Sequence, residues 1–323
     1  MPMLLNRTPW IPLALLTLLT LAGCGNQSAD ATPPSVVSVY PADGSHGFRH
    51  GDAIILTFSE PVDPISVMEA YRSDDEGLKP DQVTFAFADG GKKVYIRPVQ
   101  PLLYSPTNAY LYYAFELGRE VTDRAGNPLA EPLRVSFSTM RTLTANLPSE
   151  RSFDGSASAS VAQNDLPVFM VGDNLSDEGI RGFFSFAFPG EADGVLAARL
   201  RFYVSGLTGD PFGGLGLLSL EPVDLGEALD AADYLTPALA VAITDAGTGW
   251  TAGSYHEYGV SDWAIAAWNE GRSRLQIRLR FDQESDGDGA NDVVYLVAQD
   301  AEDIPDQIGP EYLPVLELTY YGP

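Results

Sequence analysis

Between Phe281 and Val294 the chain reads FDQESDGDGANDVV, the densest run of metal-type ligands it contains. Asp286, Asp288 and Asp292 are interleaved with Gly287 and Gly289, and Asp282, Glu284 and Asn291 stand close by. Calcium takes roughly six to eight oxygens in a flexible cage. D-x-D-G repeats supply carboxylates from one loop, and the glycines let the backbone fold round a centre. The spacing lacks the closing glutamate and the length of an EF-hand loop. No Lys or Arg occurs from Phe281 to Pro323, so nothing within that segment offsets the repulsion among its acids. Calcium is one counter-charge. The competing reading is a solvated, metal-free hairpin connection, since Asp-Gly turns also close hairpins.

A second group with chemical potential is GWTAGSYHEYG, which carries Trp250, Tyr255 and Tyr258. Aromatic faces stack on the apolar faces of pyranose rings, so exposed residues here would form a sugar platform; otherwise they pack beneath the loop. Catalytic constellations are scarce. The chain has three histidines, of which only His256 lies in the second half, beside Glu257. That pair reads as incidental surface polarity rather than a dyad, and a zinc site built on one histidine would need carboxylates for its other ligands. There is no G-x-S-x-G elbow, H-E-x-x-H helix or P-loop. Carboxylate pairs for glycoside hydrolysis could be assembled from distant parts of the chain, but nothing in the sequence selects one. The expectation is a protein that is not an enzyme.

The elements that must position these residues are strands. Of 323 residues, 19 are Lys or Arg and 44 are Asp or Glu. That balance excludes binding nucleic acid through its phosphates, which needs clustered cations. The acidity is uneven, with 14 acidic against 9 basic residues over Pro33–Met140 and 29 against 9 over Arg141–Pro323. The length suits two domains with separate cores.

The N-terminus has Arg7 and then an apolar stretch from Ile11 to Gly23, too short for a bilayer span but fit for a signal-peptide core. The single cysteine, Cys24, follows Leu21-Ala22-Gly23 and has no partner for an intrachain disulfide. LAGC after such a core resembles the lipobox of bacterial lipoproteins. That resemblance implies cleavage before Cys24, a diacylglycerol thioether and usually an acylated amine, so that a membrane becomes a partner. Each buried CH₂ adds about 0.8 kcal/mol, and several chains give lasting anchorage where one does not. Gly25, rather than an Asp, follows the cysteine, which favours the outer membrane in a host that has one. Residues 1–23 are then the signal peptide and 24–34 a flexible tether.

From residue 35 to 140 short alternating segments are broken by turn residues: DAIILTFS, VTFAFAD, KKVYIRP, NAYLYYAFE and LRVSFST. Strands at this spacing predict a small antiparallel β-sandwich, with ADGGKK as a tight turn and PISVMEAY as one helical turn. The motifs P-x-x-G at Pro41–Gly44, F-S-x-P-V-D at Phe58–Asp63, D-x-x-G-N-x-L at Asp123–Leu129 and F-x-T at Phe137–Thr139 occur in order. Together they resemble the bacterial Ig-like domain first described in S-layer proteins. The resemblance implies a spacer or adhesion module of cell-surface proteins. Asp123 and Asn127 read either as a metal site or as a turn held by side-chain-to-backbone hydrogen bonds.

Residues 141–323 repeat the β grammar with longer strands, about eight of them, and predict a jelly-roll sandwich. In SRLQIRLRF the alternation places Leu275, Ile277, Leu279 and Phe281 in the core and Gln276, Arg278 and Arg280 in water. One helix is predicted at SDWAIAAWNEG, with Ser261 as N-cap, Gly271 as stop, and Trp263 and Trp268 packed in the core. Gly182–Phe186 (G-F-x-S-F), Ala198–Tyr203 (A-x-L-R-x-Y), Trp250–Tyr255 (W-x-x-G-x-Y) and Leu316–Tyr321 (L-x-L-T-Y-Y) resemble the DNRLRE-type domain. The string that names that family is absent. The resemblance implies an extracellular β-sandwich, some of whose relatives bind polysaccharide, and it carries no catalytic residues across. The fold class expected is therefore all-β, an Ig-like sandwich followed by a jelly-roll-like one. The function expected is a lipid-anchored surface protein that binds carbohydrate or a surface protein. Its alternatives are a structural envelope component without a soluble ligand, or a polysaccharide-degrading enzyme on a jelly-roll scaffold.

Overall fold

The computed structural model describes residues 30–323. Cys24, the signal peptide and most of the tether lie outside the described residues. The chain is all-β, with several antiparallel sheets and a few short helices. No helix among the described residues is long and apolar enough to cross a membrane.

The first sandwich pairs a four-stranded sheet with a three-stranded one. The larger runs Val36–Tyr40, Ile54–Phe58, Lys93–Pro98, Val83–Ala88 in spatial order; the smaller is Tyr71–Arg72, Tyr112–Leu117, Leu133–Ser138. Period-two alternation turns Ile54, Leu56 and Phe58 inward together with Val94 and Ile96, and the facing sheet contributes Phe115, Leu117, Val135 and Phe137 to the same core. The turn from Ala88 to Lys93 is tight because Asp89, Gly90 and Gly91 all take positive φ. The predicted helical turn is Pro64–Ala70, started by proline and capped by Asp63 Oδ2, which accepts from the Ser66 N–H at 3.0 Å.

Met140 leads directly into Arg141–Pro148, the first strand of the second half. The loops of the first sandwich close on this junction. His50 stacks on Tyr104 at 3.6 Å, and the Tyr104 hydroxyl donates to Asp193. Arg141 donates to the carbonyls of Pro323 (3.0 Å) and Asn108 (2.8 Å), with its guanidinium over Tyr110.

The second half holds twelve strands in two facing sheets, joined where Val168–Asp173 turns into Gly179–Ala187. One sheet runs Arg141–Pro148, Val315–Gly322, Val195–Thr208, Asp292–Val297, Val168–Asp173, with Ser254–Gly259 also paired to Val195–Thr208. The other runs Gly179–Ala187, Arg274–Phe281, Leu218–Val223, Ile243–Asp245, flanked by Gly155–Ala157 and Ala162–Gln163. Between them Phe184 packs against Phe169 and Phe202 with ring centroids 5.3 and 5.6 Å apart, beside Ile277 and Leu279. Each fully buried ring of this kind stabilises the fold by about 1.5–3 kcal/mol. The helix Ser261–Asn269 packs Trp263, Ala264 and Ala267 onto that core.

Two local expectations are corrected. Ser261 does not cap its helix. Its hydroxyl lies 3.0 Å from the Ala198 N–H and accepts from it, so it ties the helix to a strand instead. The stop at Gly271 does form: Gly271 N–H donates to Trp268 and Arg272 N–H to Ala267, the paired bonds of a Schellman end, with Gly271 at φ 76°. The polar face of Arg274–Phe281 is not wet, because the chain from Leu225 to Thr236 folds over it. Gln276 and Arg278 are each 4% exposed. Glu221 on the neighbouring strand receives both arginines, Arg278 at 2.5 Å and Arg280 at 2.8 Å. Arg278 also donates to the Thr236 carbonyl at 2.5 Å. A second apolar layer, Phe153, Phe183, Val223, Leu225 and Leu229, lies on this outer side.

Candidate functional site

Three connections meet at one end of the second sandwich: 174–178, 209–214 and 282–291. Their ladders hold them there. Asp173 and Asp292 are directly opposed across two strands, and the Asp292 N–H donates to Asp173 Oδ1 at 3.3 Å. Gly289 N–H donates to Asp177 at 2.9 Å, Leu175 N–H to the Asn291 side-chain oxygen at 2.9 Å, and Asp210 N–H to Asp292 Oδ1. Glycine is required at 172, where φ is 144° and an added Cβ would stand 1.9 Å from the Asp292 carbonyl oxygen.

On that frame Asp286, Asp288 and Asp292 bring carboxylate oxygens within 4.8 Å of one another, the first two exposed and the third buried. The loop is already ordered by its own bonds: Asp288 N–H donates to Asp286 at 3.1 Å and Ala290 N–H to Asp288 at 2.7 Å. Three of the six predicted ligands are thus brought together. The other three are placed differently. Glu284 turns away to pair with Arg181 at 2.7 Å, Asn291 spends its carbonyl on Leu175, and Asp282 stands outside the converging group. Arg181, from a neighbouring strand, supplies part of the positive charge that the segment itself lacks. Oxygen donors of this kind suit a hard cation such as calcium.

The three aromatics expected to form a sugar platform do not share one exposed surface. Trp250 is 5% exposed, wedged between His256 (4.1 Å, stacked), Phe202 and Phe212. Tyr258 faces the same interior and donates to Asp245 at 2.6 Å. Burial and that carboxylate raise the Tyr258 phenol well above its ordinary range. Tyr255 alone of the three is outside, 45% exposed. The physical reason is strand alternation: in Ser254–Gly259, residues 254, 256 and 258 face in while 255 and 257 face out. Directly across the ladder from Tyr255 stands Tyr203, with centroids 4.9 Å apart, and Tyr312 leans on both at 4.4 and 6.1 Å. The Arg201 guanidinium sits 5.9 Å from the Tyr255 ring. Tyr203 was legible in principle, since it alternates with the core residues Phe202 and Val204.

The same alternation sends His256 and Glu257 to opposite faces. Glu257 meets Arg199 at 3.4 Å outside, and His256 stacks on Trp250 inside. His256 Nε2 is 3.0 Å from the Ser254 hydroxyl, but that hydroxyl donates to the Thr251 carbonyl at 2.7 Å. Burial lowers the imidazole's pKa against the opposing pull of Asp245. In the first sandwich both oxygens of Asp123 are occupied, Oδ1 by the Ala125 and Asn127 N–H groups (2.8 Å each) and Oδ2 by the Asn127 amide (2.7 Å). Those donors outweigh its desolvation and hold its carboxyl below the usual range. This is the hydrogen-bonded turn. Asp30 and Glu60 approach it closely enough to form a second acidic group.

Comparison with known proteins separates the two halves. No curated protein matches the chain in sequence. Among solved structures, the crystal structure of the S-layer protein rSbsC aligns over 71% of this chain at 11% identity and a TM-score of 0.23. The chain spans 32% of the length of that protein, and a superposition at this level carries neither fold nor function across. The family model described as bacterial Ig-like domain matches residues 30–139. That segment, built of two facing antiparallel sheets, is a bacterial Ig-like domain.

Proposed function

We propose that this is a non-catalytic protein of the bacterial cell surface, anchored by lipid at Cys24. In this reading the Ig-like domain is a spacer, and the second, acidic sandwich binds a polysaccharide through Tyr203, Tyr255 and Tyr312. A calcium ion at Asp286, Asp288 and Asp292 stiffens the end of that sandwich. The observation that carries ligand binding is the outward tyrosine group: three rings in mutual contact on a sheet face, with Arg201 and Glu257 alongside. Rings kept together and partly in water suit the apolar face of a sugar, while the flanking charges suit its hydroxyls.

The test is retention on immobilised polysaccharides. Tyr203→Ala with Tyr255→Ala is expected to lose retention and keep the melting temperature of the parent protein, because both rings stand on the outer face. Retention that survives the double substitution removes the platform. For the cation, EDTA-stripped protein is expected to release or absorb heat on adding calcium, and Asp286→Asn with Asp288→Asn to lose the part of that heat that belongs to this loop. An unchanged calorimetric trace in the double variant refutes the loop as the site.

A further inference from the structure

Away from the acidic end, the turn after Arg141–Pro148 meets the segment after Asp292–Val297. The Gln299 N–H donates to Asp154 Oδ2 at 2.8 Å and so ties the two together. Asp154 is fully buried and Gln299 is 6% exposed. Three side-chain oxygens here have no hydrogen-bond donor: Asp154 Oδ1, Gln299 Oε1 and Asp300 Oδ2. The Gln299 amide nitrogen is engaged by Glu302 at 3.2 Å, which fixes the orientation of the amide and leaves its oxygen as the unpaired atom. Arg151 is the nearby cation. Its guanidinium is held on the surface by Asp303 at 2.8 Å and Glu302 at 3.3 Å, and it reaches only the other oxygen of Asp300, at 3.8 Å. Orphaned buried acceptors cost about 1–3 kcal/mol each, more when charged, so three in one place call for a missing donor or a cation.

We propose that Asp154, Gln299 and Asp300 form a divalent-cation site, with calcium as the ion, separate from the acidic loop. Two carboxylates and an amide carbonyl are an all-oxygen set with no nitrogen or sulfur, which selects a hard cation. The amide carbonyl is a ligand type that calcium accepts readily, whereas magnesium demands stricter geometry and keeps several waters. The cation would join the start of the second sandwich to the strand end at Val297, adding to the bonds that already hold Glu150 to Ser185 and Ser152 to Leu229.

The experiment uses the full chain, purified and stripped with EDTA, with calcium chloride as the probe and calorimetry and thermal melting as readouts. The Asp286→Asn, Asp288→Asn variant is expected to retain one calcium and an upward melting shift on adding it. Asp300→Asn in that background is expected to weaken this residual affinity about 10- to 100-fold, with the metal-free melting temperature unchanged. Asp300 is the informative position because it is partly exposed and Arg151 keeps Asp303 and Glu302 as partners when the Asp300 charge is removed; Asp154→Asn should abolish the residual heat. If wild type binds one calcium and the loop variant still binds one, the loop reading fails and this site stands. Should the loop variant bind none, or bind undiminished with Asp300→Asn, this site is refuted, and a proton or water satisfies Asp154 instead.

Discussion

Glu221→Gln isolates the cost of an uncompensated charge beneath the outer apolar layer. Glu221 and Arg278 have side chains only 6% and 5% exposed, and Arg280 adds a second contact. The substitution keeps the shape and removes the negative charge, leaving Arg278 buried with only carbonyl acceptors. Breaking such a pair costs about 3–5 kcal/mol. For a unit of this size each kcal/mol lowers the melting temperature by about 2–4 °C, so a fall of roughly 6–20 °C is expected by scanning calorimetry at pH 7. Glu221→Leu with Arg278→Met removes the two buried charges, leaves Arg280, whose side chain is 30% exposed, to water, and should lie within about 1–2 kcal/mol of the parent, since a buried pair is worth little against a packed apolar replacement. The pH dependence has a definite sign. Burial pushes the Glu221 carboxyl up, but hydrogen bonds from Arg280 and Arg278 more than offset it, so its folded pKa lies below the unfolded value. Its contribution is therefore complete above the ordinary glutamate range and is lost as pH falls through and below it. A Gln variant that melts with the parent, or a double variant that falls as far as the single one, would refute the argument.

Three further outcomes follow from the same structure. Trp250→Ala should destabilise by about 3–5 kcal/mol, read as a lower urea midpoint with unchanged slope, because the indole is core rather than platform. Gly172→Ala, at φ 144° and against the Asp292 carbonyl, should displace Asp292 and lower the calcium affinity proposed for the acidic loop, measured by calorimetry. Cys24→Ser should abolish incorporation of radiolabelled palmitate and release the protein from the membrane fraction; labelling that persists removes the anchor.

The strands were readable because alternation is local. Ile54, Leu56 and Phe58, or Leu275, Ile277 and Leu279, announce a buried face wherever the sheet eventually sits. What covers the opposite face is not local. Arg278 reads as solvent-facing until Glu221, some distance back along the chain, and the Thr236 carbonyl are known to be beside it. Short strands such as Ile243–Asp245 offer too few residues for a period to show. The aromatic misplacement had a different origin. Trp250 and Tyr255 are neighbours in sequence, but the ladder pairs Tyr255 with Tyr203 and turns Trp250 into the core. Asp154, Gln299 and Asp300 carried no motif at all, being joined only by folding.

The pairing of Arg141–Pro148 with Val315–Gly322 bears on when the second sandwich can exist. Thr144 and Thr319 face each other across that ladder although they are 175 positions apart in the chain. Val315–Gly322 also borders Val195–Thr208, so it is an inner strand, and Arg141–Pro148 has no ladder partner until it has been delivered. Such distant partners make for slow assembly, with loop closure coming before any reward. The last strand therefore decides when the whole core is sealed, however early the strands before it are ready.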